Sequence, residues 1–301
     1  MLLETSLMEC HGVQHRVPCH ICSQVGLNSV LSREEDRGTS RSEWSVDLAW
    51  CPSCSLVQWT ETASGDGKSH GPSPTGRDEA AARSIVERLS VARQLGPDSL
   101  VVELVGADRD VLQWYHHAGI PVLGIQPLRN GGASRGHGKE IRAIHEAFSP
   151  ELALELVRAN QRADVIHSNS TIAHIADLNG VVSGFATLLK RDGILVIEVP
   201  YLKDLANHVG FNTLDRDELF YFSLTSLAQL LGQHGLEVVE AERLKMNGGI
   251  LRIIAARSGA MSATLTVHDL MDDEAAWIRD PEFYQSFGET LLPSLDDRRA
   301  A

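Results

Sequence analysis

The chain has 301 residues, 43% of them hydrophobic, and carries a formal charge of −13, with 40 acidic residues against 27 basic ones. That length supports one large domain and a small one. The acidic balance argues against a general nucleic-acid binder, whose phosphate contacts need a basic surface, and no apolar run reaches the roughly 18 residues of a membrane span. Only five of the basic residues are Lys, a bias that fits a GC-rich bacterial genome. With no readable signal peptide, a reducing, cytoplasmic setting is expected.

Residues 1–62 read as a small cysteine lobe. Cys19-His20-Ile21-Cys22 and Cys51-Pro52-Ser53-Cys54 are two Cys-x-x-Cys turns with 28 residues between them. Each such turn lets two sulfurs approach one ion, and two turns complete a tetrahedron, so Cys19, Cys22, Cys51 and Cys54 are the candidate ligands of a structural zinc ion. Four like ligands leave no open position for substrate. A redox dithiol or disulfides are the alternatives. Cys10, with His11 and His15 nearby, is either a substitute ligand or a free thiol. Trp44–Trp50 and Ser55–Trp59 read as short strands beside the second turn.

Residues 63–97 read as a linker followed by a helix. Thr62–Arg77 is rich in Ser, Gly and Pro, and Ala82, Ile85, Val86, Leu89 and Val91 then recur at helical spacing over Asp78–Leu95. From 98 to 260 the pattern alternates between strands and helices. Strands are expected at Ser99–Val105, Pro121–Ile125, Ala163–Ser168, Gly193–Val199, Glu237–Arg243 and Gly249–Ala256. Helical material is expected at Asp110–Ala118, Glu140–Phe148, Pro150–Ala159, Val181–Lys190 and Leu224–His234. Strands separated by helices of this length imply a doubly wound parallel α/β sheet, and the Asn247-Gly248-Gly249 turn implies a terminal antiparallel hairpin. This is the Rossmann-like architecture of class I methyltransferases, here with a small N-terminal zinc-binding lobe. In residues 261–301, Leu270, Trp277, Phe283, Phe287 and Leu291 fall at loosely helical intervals, as in a packing arm or an oligomer contact.

Particular words sharpen the likeness: Leu56-Val57-Gln58, Val101-Val102-Glu103-Leu104, Gly124-Ile125-Gln126-Pro127, Ala173-His174-Ile175-Ala176-Asp177-Leu178, Ile197-Glu198-Val199-Pro200-Tyr201-Leu202, Phe211-Asn212-Thr213-Leu214, Tyr221-Phe222-Ser223 and Asn247-Gly248-Gly249-Ile250-Leu251-Arg252. In this order and spacing, over about residues 19 to 290, the chain resembles the zinc-containing C-methyltransferases that act on nucleotide-linked keto-deoxysugars in bacterial natural-product pathways. That family usually carries a further C-terminal Rossmann-type domain. The resemblance implies a small-molecule biosynthetic intermediate as partner, with a homo-oligomer or a second pathway enzyme also open.

The departures from the family pattern bear on chemistry. Where the family has a Gly-rich turn close to Glu-Ile-Gly-Ser-Asn-Asp-Gly for S-adenosylmethionine (SAM), this chain has Glu103-Leu104-Val105-Gly106-Ala107-Asp108-Arg109. Val105 and Arg109 put side chains where bare backbone is expected, leaving Glu103, Gly106 and Asp108 to serve the turn. Gln126 replaces the acid that would accept from the ribose hydroxyls, a loss of about 1–3 kcal/mol, and Asn169 lies in the segment facing the donor. In place of the family's Tyr-His-Glu-His run stands Asp215-Arg216-Asp217-Glu218, so Glu218 becomes the candidate base and Asp217 or Asp215 its partner. His174 is a candidate acid and Tyr221 a candidate oxyanion donor, each with a purely structural alternative. Asn247 and Ile250 replace a histidine and a serine of the family, while Arg252 is kept, for an anionic substrate or an ion pair. His116-His117, on an expected exposed helix, lacks a third ligand.

Three functions follow from this pattern. One is an enzyme that keeps the scaffold, binds SAM weakly or not at all, and performs cyclisation, isomerisation or elimination by acid/base chemistry. A divergent SAM-dependent C-methyltransferase on a nucleotide-linked keto sugar or related intermediate is the alternative. A noncatalytic partner of another pathway enzyme is the third.

Overall fold

The computed structural model describes residues 14–35, 44–60, 79–105, 111–126, 141–207, 218–245 and 248–297. The linker expected at Thr62–Arg77 lies outside them. In the N-terminal lobe, β1 (Gln14–His15), β2 (Leu27–Glu35), β3 (Trp44–Trp50) and β4 (Val57–Trp59) are antiparallel neighbours in that order. β2 escapes the sequence reading because a register shift between Ser29 and Leu31 interrupts the two-residue alternation and buries Val30 and Leu31 in succession.

The α/β domain begins with α1 (Glu79–Ala92), which turns Ala82, Ile85, Val86 and Leu89 inward. Next come β5 (Val101–Leu104), α2 (Leu112–His117), β6 (Val122–Ile125), β7 (Ala143–Ile144), α3 (Pro150–Arg158), β8 (Ala163–Asn169), α4 (Leu178–Leu188), β9 (Leu189–Pro200) and α5 (Leu202–Asn207). The remaining elements are β10 (Phe220–Tyr221), α6 (Leu224–Gly232), β11 (Leu236–Leu244), β12 (Ile250–Arg257), α7 (Leu265–Ala275) and α8 (Pro281–Asp297). The helical reading of Glu140–Phe148 is corrected here. Ile141, Ile144 and Phe148 mimic a helical period, but Ala143 and Ile144 pair in parallel with Gly124 and Ile125 and form the sheet edge.

The large sheet runs β11-β12-β9-β8-β5-β6-β7, with β12 antiparallel to both neighbours. Counting its strands along the chain, the order is 3-2-1-4-5-7-6, the class I methyltransferase sheet. Chain order reverses between β5 and β8, which makes the crevice outside their carboxyl ends the place where such sheets bind ligands. Strands buried on both faces read as unbroken aliphatic runs. Val101, Val165, Val196 and Ile254 meet α1 and α2 on one face, while Val102, Leu104, Ile166, Ile197 and Ile253 meet α3, α4 and α6 on the other.

The lobe is not a separate bead. β10, which follows the α/β domain's fifth helix, pairs with β4 as Phe220↔Gln58 and Tyr221↔Val57 and so completes a five-stranded lobe sheet. Its apolar cluster, with Leu27, Leu48 and Val57, continues through Phe220 and Phe222 into Phe185 and Leu227. The C-terminal arm seals this junction. Tyr284 stacks on Trp50 with ring centroids 4.2 Å apart, and the buried Glu274 carboxylate accepts from the backbone N–H groups of Leu224 and Thr225, both at 2.7 Å, at the start of α6. A carboxylate there satisfies orphan amides and complements the helix dipole.

Gly288 lets α8 lie against β2, since a Cβ at that position would sit 2.0 Å from the Val30 carbonyl oxygen. Helix propensity alone makes Gly288→Ala stabilising by about 1 kcal/mol. The backbone clash reverses the sign, and we expect a net loss of about 1–3 kcal/mol, read as a lower midpoint in denaturant unfolding; a raised midpoint would show that α8 does not pack this closely.

Candidate functional site

Two stretches of the molecule bring chemistry-bearing side chains together. The first is the pair of cysteine turns, which share one geometry. In each, the residue after the second cysteine adopts a left-handed conformation, Ser23 at φ 59° and Ser55 at φ 63°. Its N–H then reaches the first cysteine's carbonyl, Ser23 to Cys19 at 2.9 Å and Ser55 to Cys51 at 2.8 Å. The four sulfurs lie within 4.8 Å of one another, with Cys19–Cys54 at 3.3 Å and Cys22–Cys51 at 3.6 Å. A zinc tetrathiolate with ~2.3 Å bonds has edges of about 3.8 Å, so the donor set fits such an ion. Hydrogen bonds from Cys19 and Cys54 hold the Cys51 thiol far below its ordinary range, while Cys19 and Cys54 are pushed up. Clustered thiols cannot all ionise without a cation between them, and a divalent metal removes that conflict.

The second is the carboxyl edge of the large sheet. Glu103 on β5 and Asn169 on β8 straddle the point where strand order reverses. Glu103 is 2% exposed. One of its oxygens accepts from the Val111 N–H at 3.0 Å, the residue flanking α2, where no side chain of the helix's own makes a cap. The other accepts from Asn169 Nδ2 at 2.7 Å. That bond fixes the amide, because turning it over would set two oxygens against each other. Asn169 is 7% exposed, and its Oδ1 is buried without a hydrogen-bond partner among the described residues. A buried orphan acceptor is costly.

Beside this pair the polar groups continue along the same sheet face. Asn169 is in register with Glu198 on β9, and Glu198 with Arg252 on β12. Arg252 Nε donates to Glu198 at 2.7 Å and Nη1 to Glu242 at 3.3 Å. Of the two roles left open for Arg252, the ion pair is the one realised. Glu198 was missed by the sequence reading, although a lone carboxylate within Ile197-Glu198-Val199 is itself a signal of a partnered buried acid. Likewise missed is the buried Tyr115–His167 pair, with Tyr115 Oη 3.0 Å from His167 Nε2. Burial, and then the nearby Glu103, push the Tyr115 hydroxyl well above its ordinary range.

The other candidates divide. His174 closes the 3-10 turn Thr171–His174 and is exposed. Leu219 N donates to Ala173 O at 2.7 Å, so the stretch carrying Glu218, itself 8% exposed, is tied beside the turn carrying His174. Tyr221 is 1% exposed and packs edge-on against Phe287 at 6.3 Å, which is the structural use of that residue. Gln126 stands half-buried at the end of β6. Gly106, Asp108, Arg109, Asp215, Asp217 and Asn247 lie outside the described residues. Val105 continues the β5 ladder through its N–H to Ile125 O at 2.9 Å, and its side chain is buried. Val105 thus lies just past the carboxyl end of β5, beside the strand-order switch.

A cavity of about 630 Å³ lies at the opposite, amino edge of the sheet, lined in part by Arg162 and Lys190. Those cations are already engaged, Arg162 by the carbonyls of Thr187 and Leu189 and Lys190 by Asp164. Among the described residues no helix is long and apolar enough to cross a membrane.

A family model described as a methyltransferase domain matches residues 76–241. The C-methyltransferase NovU of Streptomyces niveus is 34% identical over 176 residues, which are 58% of this chain and 40% of that protein. The chain thus matches less than half the length of this curated relative. Among solved structures, the 1,6-didemethyltoxoflavin-N1-methyltransferase of Burkholderia thailandensis, with bound 1,6-didemethyltoxoflavin and S-adenosylhomocysteine, overlaps 60% of this chain and 79% of its own at 18% identity and a TM-score of 0.43. An S-adenosylmethionine-dependent methyltransferase from Clostridium acetobutylicum overlaps 61% and 93% at 11% identity and a TM-score of 0.46. The expected abandonment of methyl transfer gains no support from the domain match or the curated relative, which are more consistent with the methyl-transfer alternative. A domain match over more than half of the residues, on a sheet of this strand order, means that the chain belongs to the methyltransferase-domain family with the class I fold.

Proposed function

We propose that the chain is a SAM-dependent C-methyltransferase acting on a nucleotide-linked keto sugar or a related natural-product intermediate, with zinc in the four-cysteine site. The observation that carries this reading is the Glu103–Asn169 pair at the strand-order switch, which presents a fixed, buried and unpartnered acceptor oxygen. SAM, when bound, supplies the methyl group. Asn169 Oδ1 suits the ammonium of its methionyl end, with Glu103 holding the amide and lending negative charge close to a cationic ligand. Gln126 suits a ribose hydroxyl through its one amide oxygen. Glu218 removes the proton from the carbon beside the substrate's ketone, and His174, on the adjoining turn, donates to the ketone oxygen as charge develops. The zinc holds no substrate. It cross-links the two turns.

Three measurements test this reading. Titration calorimetry with S-adenosylhomocysteine should show binding to the wild type. Asn169→Leu should weaken it about ten- to a hundred-fold, the loss of one charge-assisted hydrogen bond. No heat with the wild type at millimolar ligand would dispose of the donor reading. Elemental analysis should find one zinc per chain, and Cys54→Ser should lose metal and melting temperature together, whereas a stable metal-free wild type would refute the structural ion. Glu218→Gln should keep its affinity for S-adenosylhomocysteine while methyl transfer to a keto-sugar nucleotide falls about 10²- to 10⁴-fold. Unchanged turnover would remove Glu218 as the base.

A further inference from the structure

The loop after β8 runs from Asn169, the strand's last residue, through His174, and its outer side is held by the cysteine lobe. Its inner side is fixed by the sheet. Ser170 takes a left-handed conformation at φ 54° and donates its N–H to Glu198 O at 2.7 Å, while Thr171 Oγ1 lies 3.0 Å from Leu104 O and 3.1 Å from Asn169 O. A non-glycine residue in that region is strained and persists only where its surroundings impose it.

The outer restraint comes from the first cysteine turn. His20, between two of the metal-ligating cysteines, places Nδ1 2.9 Å from Ala176 O. A carbonyl only accepts, so Nδ1 carries the proton. In the other direction Asn179 Nδ2, in the first turn of α4, donates to the carbonyls of His20 at 2.8 Å and Ile21 at 3.1 Å. Asn179 Oδ1 is in turn 2.9 Å from His234 Nε2 at the end of α6. The turn itself is steadied by the buried Gln58, which accepts from His20 N at 3.0 Å and donates to Pro18 O at 3.1 Å. The His20–Ala176 and Asn179 bonds join residues more than 150 positions apart and tie the cysteine turn to 176–179.

We propose that the first cysteine turn is a positioning element for the donor-site loop, with His20 and Asn179 as its two positioning residues, so that metal occupancy and donor affinity are coupled. The inference rests on the methyltransferase reading for its ligand but not for its contact geometry. Coupling of this kind is reciprocal: whatever the metal does for S-adenosylhomocysteine, the ligand does for the metal. The metal acts without touching the ligand. Cys19 and Cys22, as ligands of a bound ion, would hold the backbone between them, and the His20 imidazole and carbonyl would pass that restraint to Ala176 and Asn179.

The test uses the zinc-loaded full chain and His20→Ala, His20→Asn and Asn179→Ala. None of these removes a ligand sulfur, so zinc content should stay at the wild-type value. In hydrogen exchange read by mass spectrometry, peptides over 170–179 should exchange faster in His20→Ala and Asn179→Ala, while peptides over 51–56 keep their protection. S-Adenosylhomocysteine should bind His20→Ala about five-fold more weakly, the range for one neutral hydrogen bond. His20→Asn, whose Nδ2 can reach the place of the imidazole Nδ1, should restore both readouts. If 170–179 exchanges at the wild-type rate in zinc-loaded His20→Ala, the clamp is overturned, whether or not the ligand binds. If exchange rises but the wild type binds no S-adenosylhomocysteine, the clamp stands and the donor reading falls. Raised exchange with undiminished affinity in His20→Ala would overturn the coupling.

Discussion

A carboxylate removed from water must be matched by donors, and the Glu103 carboxylate meets that demand with groups from two different elements. One oxygen takes the amide that opens α2, the other takes the side chain that ends β8. The acid therefore fixes the distance between helix and strand exactly where chain order reverses. It also decides what is left over. With one amide hydrogen on Glu103, Asn169 keeps its Oδ1 without a partner among the described residues, and a buried acceptor of that kind is a standing cost until something covers it.

The same logic explains why the small lobe cannot be discarded. Its apolar residues do not close a core by themselves; they share one with the α/β domain through Phe220, Phe222 and the C-terminal aromatics. Strand β10 belongs to the lobe's sheet by pairing and to the domain by chain position, and the run that holds Glu218 leads directly into it. The lobe, the stretch carrying Glu218 and the turn carrying His174 are thereby tied together. The cysteine turns stand at the outer end and Glu103 at the inner end.

Much of this was legible from residue order. The buried parallel strands announced themselves as aliphatic runs, α1 as a period of inward apolar positions, and the four thiols as two identical turns whose left-handed serines follow the second cysteine each time. Where reading failed, the cause was tertiary. β2 is masked by its bulge, β10 is too short to show a period and exists only because β4 is there to pair with, and Glu140–Phe148 carries helical spacing while the sheet edge claims Ala143 and Ile144. At the site, residue types could be nominated but not joined. Nothing local says that Glu103 reaches Asn169, that Glu198 spends Arg252, or that an imidazole beside Cys19 meets a carbonyl at Ala176.

This distribution of legible and illegible features bears on how the sequence departures should be weighed. The altered positions were read as a coordinated loss because each was compared with a pattern of isolated letters. Placed in the fold they are not equivalent: Val105 is buried just past the end of β5, Ile250 is buried at the start of β12, and Arg109, Asp215, Asp217 and Asn247 lie outside the described residues. Gln126 and Glu218 remain as changes of chemistry. The first costs one acceptor; the second exchanges an imidazole for a carboxylate while keeping a proton acceptor in place beside the His174 turn. The retained Glu103–Asn169 geometry, which no acid/base reaction at Glu218 would need, weighs towards methyl transfer rather than its abandonment.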